Sequence, residues 1–216
     1  MGNKKIKTIV GLDLSIRSTG WCIEKANENV PQTGTIGTKL KPVLDHERFL
    51  KIYDTWYQLR EFLVSRKFDP NTTIFCVEDY VLNSFGSRSI IDLAEIGGLV
   101  RSWILDNNFV FYLVAPGTWK KFIYKGNMRK PKNKSELYSV GLHIKDKYGV
   151  DFETTDEVDA YALVKFIKVF LGLSKPLDEK QEQVIYKYNQ ELKYGKPKKK
   201  RRGKKKKNVK KRKRNK

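Results

Sequence analysis

The stretch Ile9-Val10-Gly11-Leu12-Asp13-Leu14-Ser15-Ile16-Arg17-Ser18-Thr19-Gly20-Trp21 sets the frame for the rest of the 216-residue chain. An apolar run over 7–14 carries an acid near its end, a turn-rich Ser-Ile-Arg-Ser follows, and β-type alternation resumes over 18–25. This order predicts a hairpin. A carboxylate bordering a buried run is poorly placed for stability, because it must be hydrated, paired or metal-bound. Asp13 is therefore the first candidate for chemistry.

Outward from the hairpin, a third strand is expected over 33–39. Residues 45–65 carry Phe49, Ile52, Trp56, Leu59, Phe62 and Leu63 at helical spacing. The run 72–80 reads as a buried, parallel strand. Residues 90–105 form a helix that is apolar over more than one face, suited to the core or to a subunit interface, where Gly97 and Gly98 would admit a close backbone approach. A fifth strand is expected over 109–114. Residues 119–134 are basic and rich in breakers, which predicts an exposed loop after a short helix. Helices are expected over 135–147 and 155–171, the latter ended by Gly172, and a further one over 175–192. Strands and helices in this order give an α/β fold with a five-stranded mixed sheet flanked by helices.

Further acids stand at comparable places. Glu78 closes the 72–80 strand, and Asp156 and Asp159 lie three apart at the start of the 155–171 helix, on one face. Thr154 with Glu157, or Thr155 alone, can cap that helix. Each acid also has an ordinary structural explanation: a turn former, a solvated strand end, or first-turn acids meeting the helix dipole.

Their order and spacing carry a resemblance. The segment 9–21 resembles the first-strand motif of RuvC-type Holliday junction resolvases, in which apolar residues lead to Gly-x-Asp and a turn ends in Thr-Gly and an aromatic. Val77-Glu78 resembles the family's second acidic motif. Asp156-Glu157-Val158-Asp159-Ala160-Tyr161-Ala162 resembles its closing Asp-x-x-Asp-Ala-x-Ala. Ala115-Pro116 with Lys121, and Lys134-Ser135, look like the basic stretch between them. The resemblance spans about residues 6–171 and implies an RNase H-like fold and a structure-selective endodeoxyribonuclease acting on branched DNA. It implies Asp13, Glu78, Asp156 and Asp159 as the catalytic, metal-holding acids, and Lys121 and Lys134 as contacts near the scissile strand. The basic stretch adds Lys120, Lys130 and Lys132 as expected DNA contacts, and the loop after the second acid adds Phe85 and Arg88. The family's aromatic wedge falls on Val81 here, with Tyr80 and Phe85 as the nearby aromatics.

Four carboxylates at one sheet edge would repel one another unless cations intervene. Oxygen ligands favour Mg²⁺ or Mn²⁺ over zinc, and the two histidines, His46 and His143, lie outside the acidic motifs, where surface positions are expected. The expected chemistry is two-ion phosphodiester hydrolysis, with Asp13 bridging ions about 3.5 to 4 Å apart. By resemblance, the nick would carry a 5′ phosphate and be ligatable. Paired incision of a four-way junction calls for a C2 homodimer, with the 90–105 helix as the candidate interface.

Charge points to the same class of partner. The chain carries a formal +21, yet 17 of its Lys and Arg residues lie among the last 24 positions, which hold no acid. The preceding 192 residues are only mildly basic, at +4. Such a tail cannot bury enough apolar surface to fold alone, and a nucleic-acid arm fits it better than a solubilising tail or a nuclear-import signal. The expected organisation is a nuclease domain over 1–175, a helix or linker over 176–192 and a disordered basic tail over 193–216. Cys22 and Cys76 sit in apolar strands and are expected reduced and buried. No run approaches the roughly 18 apolar residues of a membrane span, and residues 1–8 lack a signal-peptide hydrophobic region, so a cytoplasmic site in a bacterium or an infected host cell is expected.

Alternatives stay open at this level. The turn 13–20 is also similar to the phosphate-binding turn of actin-like ATPases, which need a second lobe this chain is too short to hold. An RNase H or flap nuclease of the same fold, and a non-catalytic DNA-binding protein driven by the tail, are the others.

Overall fold

The computed structural model describes residues 5–28, 30–38, 45–80, 88–124 and 148–195. Five strands, β1 (Thr8–Asp13), β2 (Thr19–Lys25), β3 (Gln32–Ile36), β4 (Thr73–Glu78) and β5 (Val110–Val114), form one sheet in the order β3-β2-β1-β4-β5. β1 pairs antiparallel with β2 and parallel with β4, and β4 pairs parallel with β5, so the sheet is mixed, as expected. The helices are α1 (Asp45–Ser65), α2 (Arg88–Asp106), α3 (Pro116–Ile123), α4 (Thr155–Phe170) and α5 (Glu179–Tyr194). The helix expected over 135–147 lies outside the described residues, as do residues 196–216 of the tail.

Side chains alternate across a strand, and this decides what each face carries. From β1, Val10, Leu12 and the following Leu14 join Ile23, Phe75 and Val77 in a core closed by α1 and α2. Ile9 faces the other way with Cys22, Cys76 and Val114, under α3, α4 and α5. By the same alternation Gly11 and Asp13 belong to the second face, as do Gly20, Cys22 and Glu24 on β2 and Cys76 and Glu78 on β4. Both cysteines are buried and unbridged.

Two glycines let α4 settle on that face. A Cβ at Gly11 would stand 2.3 Å from the Ala160 carbonyl oxygen, and one at Gly20 would stand 2.0 Å from that of Asp156. Any side chain there would lift the helix off the sheet. Lower down, Glu24 of β2 is ion-paired with Lys165 and Lys168 of α4. At the top the Thr154 hydroxyl caps the helix, accepting from the Glu157 N–H at 3.2 Å. The Glu157 carboxylate turns inward and accepts from Thr33 Oγ1 of β3 at 2.8 Å and from Thr154 Oγ1 at 3.0 Å. Register of α4 over the sheet is thus fixed at both ends. Gly172, at φ +72°, follows the helix as expected.

One expectation needs correction. Residues 119–123 are not an exposed loop: they lie in α3, with Pro116 in its first turn and Trp119, Phe122 and Ile123 buried. Apolar residues at i, i+3 and i+4 outweigh the flanking lysines, because Lys120 and Lys121 occupy the helix flank that the core does not need. α5 packs on the same body. Tyr188 is buried against Phe166 and Phe170 and donates to the Leu113 carbonyl at 3.0 Å. Gln181 Nε2 donates to the Phe122 carbonyl at 3.3 Å, and Lys180 Nζ to that of Tyr124 at 2.7 Å. Among the described residues, no helix is long and apolar enough to cross a membrane.

Candidate active site

Two parallel neighbours end at the same edge of the sheet. β1 and β4 are in register through Leu12↔Val77, so Asp13 and Glu78 follow side by side, on the same face. Across β1 and β2, Asp13 lies opposite Gly20, and Gly20 carries the backbone of Asp156. One helical turn on, Asp159 projects from the same side of α4. The four acids expected from the sequence therefore meet in one place.

Electrostatics records the convergence. Burial, a hydrogen bond with Glu78, and the charges of Glu78, Asp159 and Asp156 hold the Asp13 carboxyl well above the usual carboxylate range. Burial likewise raises Asp159, opposed by the Lys120 ammonium and helped by Glu78, so that it is pushed up to about 7. A group of acids so disposed is unstable when fully ionised. Protons or cations must neutralise part of it.

α3 forms the wall beside the acids. Trp119 Nε1 donates to Glu78 Oε1 at 3.0 Å, Tyr124 O–H donates to Asp159 Oδ1 at 3.3 Å, and Lys120 Nζ stands 3.9 Å from Asp159 Oδ2. Burial and the Asp159 charge raise the Tyr124 phenol, which stays protonated as a donor. Of the expected DNA contacts, Lys120 faces the acids, whereas Lys121, the next residue along, is exposed. Phe85, Lys130, Lys132 and Lys134 lie outside the described residues, as does His143; so do the side chains of Arg88 and His46. Tyr80 lies under the Arg101 guanidinium, 5.4 Å from its ring centre.

Sequence reasoning missed Trp119 and Tyr124 as partners of the acids and Glu157 as an inward-turned anchor. For Trp119 a signal existed: Pro116 followed by apolar residues at 119, 122 and 123 is the pattern of a short amphipathic helix. Glu157 was read as the capping partner of Thr154, which the structure shows, but its bond to Thr33, 124 residues away, gave no local signal.

At the level of sequence, no family model and no curated protein matches the chain. Solved structures do. RuvC from T. thermophilus in complex with a Holliday junction substrate superposes with a TM-score of 0.53 at 14% identity, covering 79% of this chain and 99% of that one. A second Thermus thermophilus RuvC structure gives 0.50 with the same identity and coverage. The fold is that of RuvC. This bears out the expected α/β, RNase H-like class. The complex of fowlpox virus resolvase with its substrate Holliday junction DNA is also similar, with a TM-score of 0.43 at 13% identity over 73% of this chain and 95% of that one. At 14% identity the likeness to RuvC establishes architecture; the chemistry rests on this chain's own acids.

Proposed function

We propose that this chain is a homodimeric, divalent-metal-dependent endonuclease that resolves Holliday junctions and related branched DNA. The observation that carries the reading is the meeting of Asp13, Glu78, Asp156 and Asp159, from β1, β4 and α4, at one sheet edge. The RuvC fold, and the junction substrate bound by the T. thermophilus protein, support it.

The donor set suits a hard cation, since all four side chains offer carboxylate oxygens and repel one another without a counter-charge. Among the described residues no group of three such side chains is spaced as a ready-formed cage, and Asp13 and Glu78 instead share a hydrogen bond. Asp13, Glu78, Asp156 and Asp159 would hold Mg²⁺ or Mn²⁺, two ions per site. When bound, such ions activate water and stabilise the departing oxygen of a phosphodiester. The protein's own part is orientation: parallel strands fix Asp13 beside Glu78, the glycine seat fixes Asp156 and Asp159, and Lys120 offers its ammonium to a phosphate oxygen.

Paired cutting would come from a two-fold dimer. Between α1 and α2 lies a groove of about 710 Å³ lined by Phe49, Leu50, Tyr53, Ala94, Gly98 and Leu99, among others. Phe49, Leu50 and Tyr53 are each more than half exposed in the single chain. Such a patch is costly in water and suits a second copy. Residues 196–216 would add sequence-independent, salt-sensitive grip.

The deciding experiment compares four-way junctions, flaps, RNA–DNA hybrid and plain duplex, with and without magnesium. Magnesium-dependent symmetric nicks in the junction, cut in preference to the other substrates, are expected. Preferential cutting of the hybrid or flap would assign another nuclease of this fold, and no cutting of any substrate would leave a DNA-binding protein.

A further inference from the structure

We propose that Trp119 of α3 and Tyr124, which follows that helix, are positioning residues that aim two of the four acids, Glu78 and Asp159, by neutral hydrogen bonds. The inference rests on the nuclease reading above and goes beyond it in naming what holds the carboxylates still.

Glu78 has three rotatable side-chain bonds, and fixing a glutamate side chain costs rotamer entropy. Trp119 supplies the restraint. Its ring is fully buried, and its one polar atom is a donor that needs a partner in the core. That partner is Glu78 Oε1, 41 residues away, at 3.0 Å. The ring is itself held by Tyr124, 6.3 Å away between centres, and covered by the Lys120 ammonium at 4.6 Å. Tyr124 then donates to Asp159 Oδ1. One short helix and the residue that follows it therefore tie β4 to α4 through the two carboxylates.

The chemistry of the donors matters. An indole N–H and a phenol O–H carry no net charge, so each fixes one oxygen without neutralising the carboxylate as a lysine or arginine would. Asp159 Oδ2 has the Lys120 ammonium at 3.9 Å, beyond hydrogen-bond distance, so the acceptor positions that the indole and phenol do not use stay available to a cation. Partners of this kind commonly contribute 10- to 100-fold in metal affinity or activity.

The test uses the full chain and its Tyr124→Phe and Trp119→Phe variants. Tyr124→Phe removes one hydroxyl and leaves the ring; Trp119→Phe removes the N–H with part of the ring. Three quantities are measured: the Mn²⁺ concentration giving half-maximal junction cleavage, the Mn²⁺ concentration giving half of the metal-induced rise in melting temperature, and the melting temperature without metal. Both metal midpoints are expected to rise about tenfold in each variant, with junction binding unchanged. Midpoints equal to those of the parent would overturn the proposal, including where the metal-free melting temperature falls, because that pattern marks a purely structural role. Should Trp119→Phe fail to fold, Tyr124→Phe decides alone. A parent chain that neither cuts junctions nor gains stability from Mn²⁺ would instead refute the nuclease reading, and the proposal with it.

Discussion

Gly20 lies directly beneath the backbone of Asp156, so close that a Cβ on the glycine would come within 2.0 Å of the Asp156 carbonyl oxygen. The obstacle is main chain, which cannot rotate away. Gly20→Ala is expected to displace the start of α4, lower stability by about 1 to 3 kcal/mol and cut junction cleavage at least tenfold. By contrast, a Cβ at Gly117 meets nothing within 4 Å, and Gly117→Ala should leave cleavage unchanged. Thermal unfolding and single-turnover cleavage of the two variants check this.

Asp13→Asn should abolish cleavage, keep junction binding and stabilise the metal-free protein. The Asp13 and Asp159 carboxyls are raised, so the folded state keeps protons that the unfolded chain releases from about pH 4. Their contribution to stability is complete below that pH and is lost as pH rises; for Asp159 the window runs to about 7. Melting temperature without metal should fall across this interval, and Mg²⁺ should restore it. Each kcal/mol corresponds to about 2 to 4 °C for a chain of this size. An unchanged profile in Asp13→Asn would count against the crowded-acid account.

Lys120 and Lys121 are adjacent in sequence and differ in placement. Lys120→Ala should slow cleavage by ten- to a hundredfold at saturating DNA, since its ammonium stands beside Asp159. Lys121→Ala, on the exposed flank, should mainly weaken binding. Rates measured under single-turnover conditions separate the two.

Leu50 is 59% exposed at the α1–α2 groove. Leu50→Glu should leave the unfolding temperature of the monomer unaltered and shift the protein from dimer to monomer in analytical ultracentrifugation. Nicks on opposite strands should then lose their coordination.

Ending the chain at Gly195 removes 16 of the 45 basic residues. Junction affinity should drop, and the slope of log affinity against log salt should become shallower, while the cleavage rate of bound junction stays the same. Binding titrations at several salt concentrations provide the check.

Much of this was legible in the residues, for a physical reason. Strand and helix periods fix which face each side chain takes, so Asp13, Glu78 and the Asp156/Asp159 pair could be placed at element ends from local pattern alone. The glycines at 11 and 20 read only as parts of a motif, since their purpose depends on a helix some 140 residues further along. Trp119 was misread because its neighbours are lysines; its surroundings come from α5 and α4, which no window around residue 119 contains. Glu157 hid between two acids whose role it does not share, and only Thr33 on the far strand reveals its direction.

The last helix holds three main-chain carbonyls, those of Leu113, Phe122 and Tyr124, and two of them belong to the segment that carries Trp119 and Tyr124. Because the basic tail continues directly from that helix, any load taken up by the tail passes first into the scaffolding behind the acids. Trimming beyond Gly195 spares all three fastenings, whereas removing residues from Asp178 onward releases them together. Shortening up to Gly195 should therefore cost DNA affinity alone, whereas shortening past it takes away the support behind the acids.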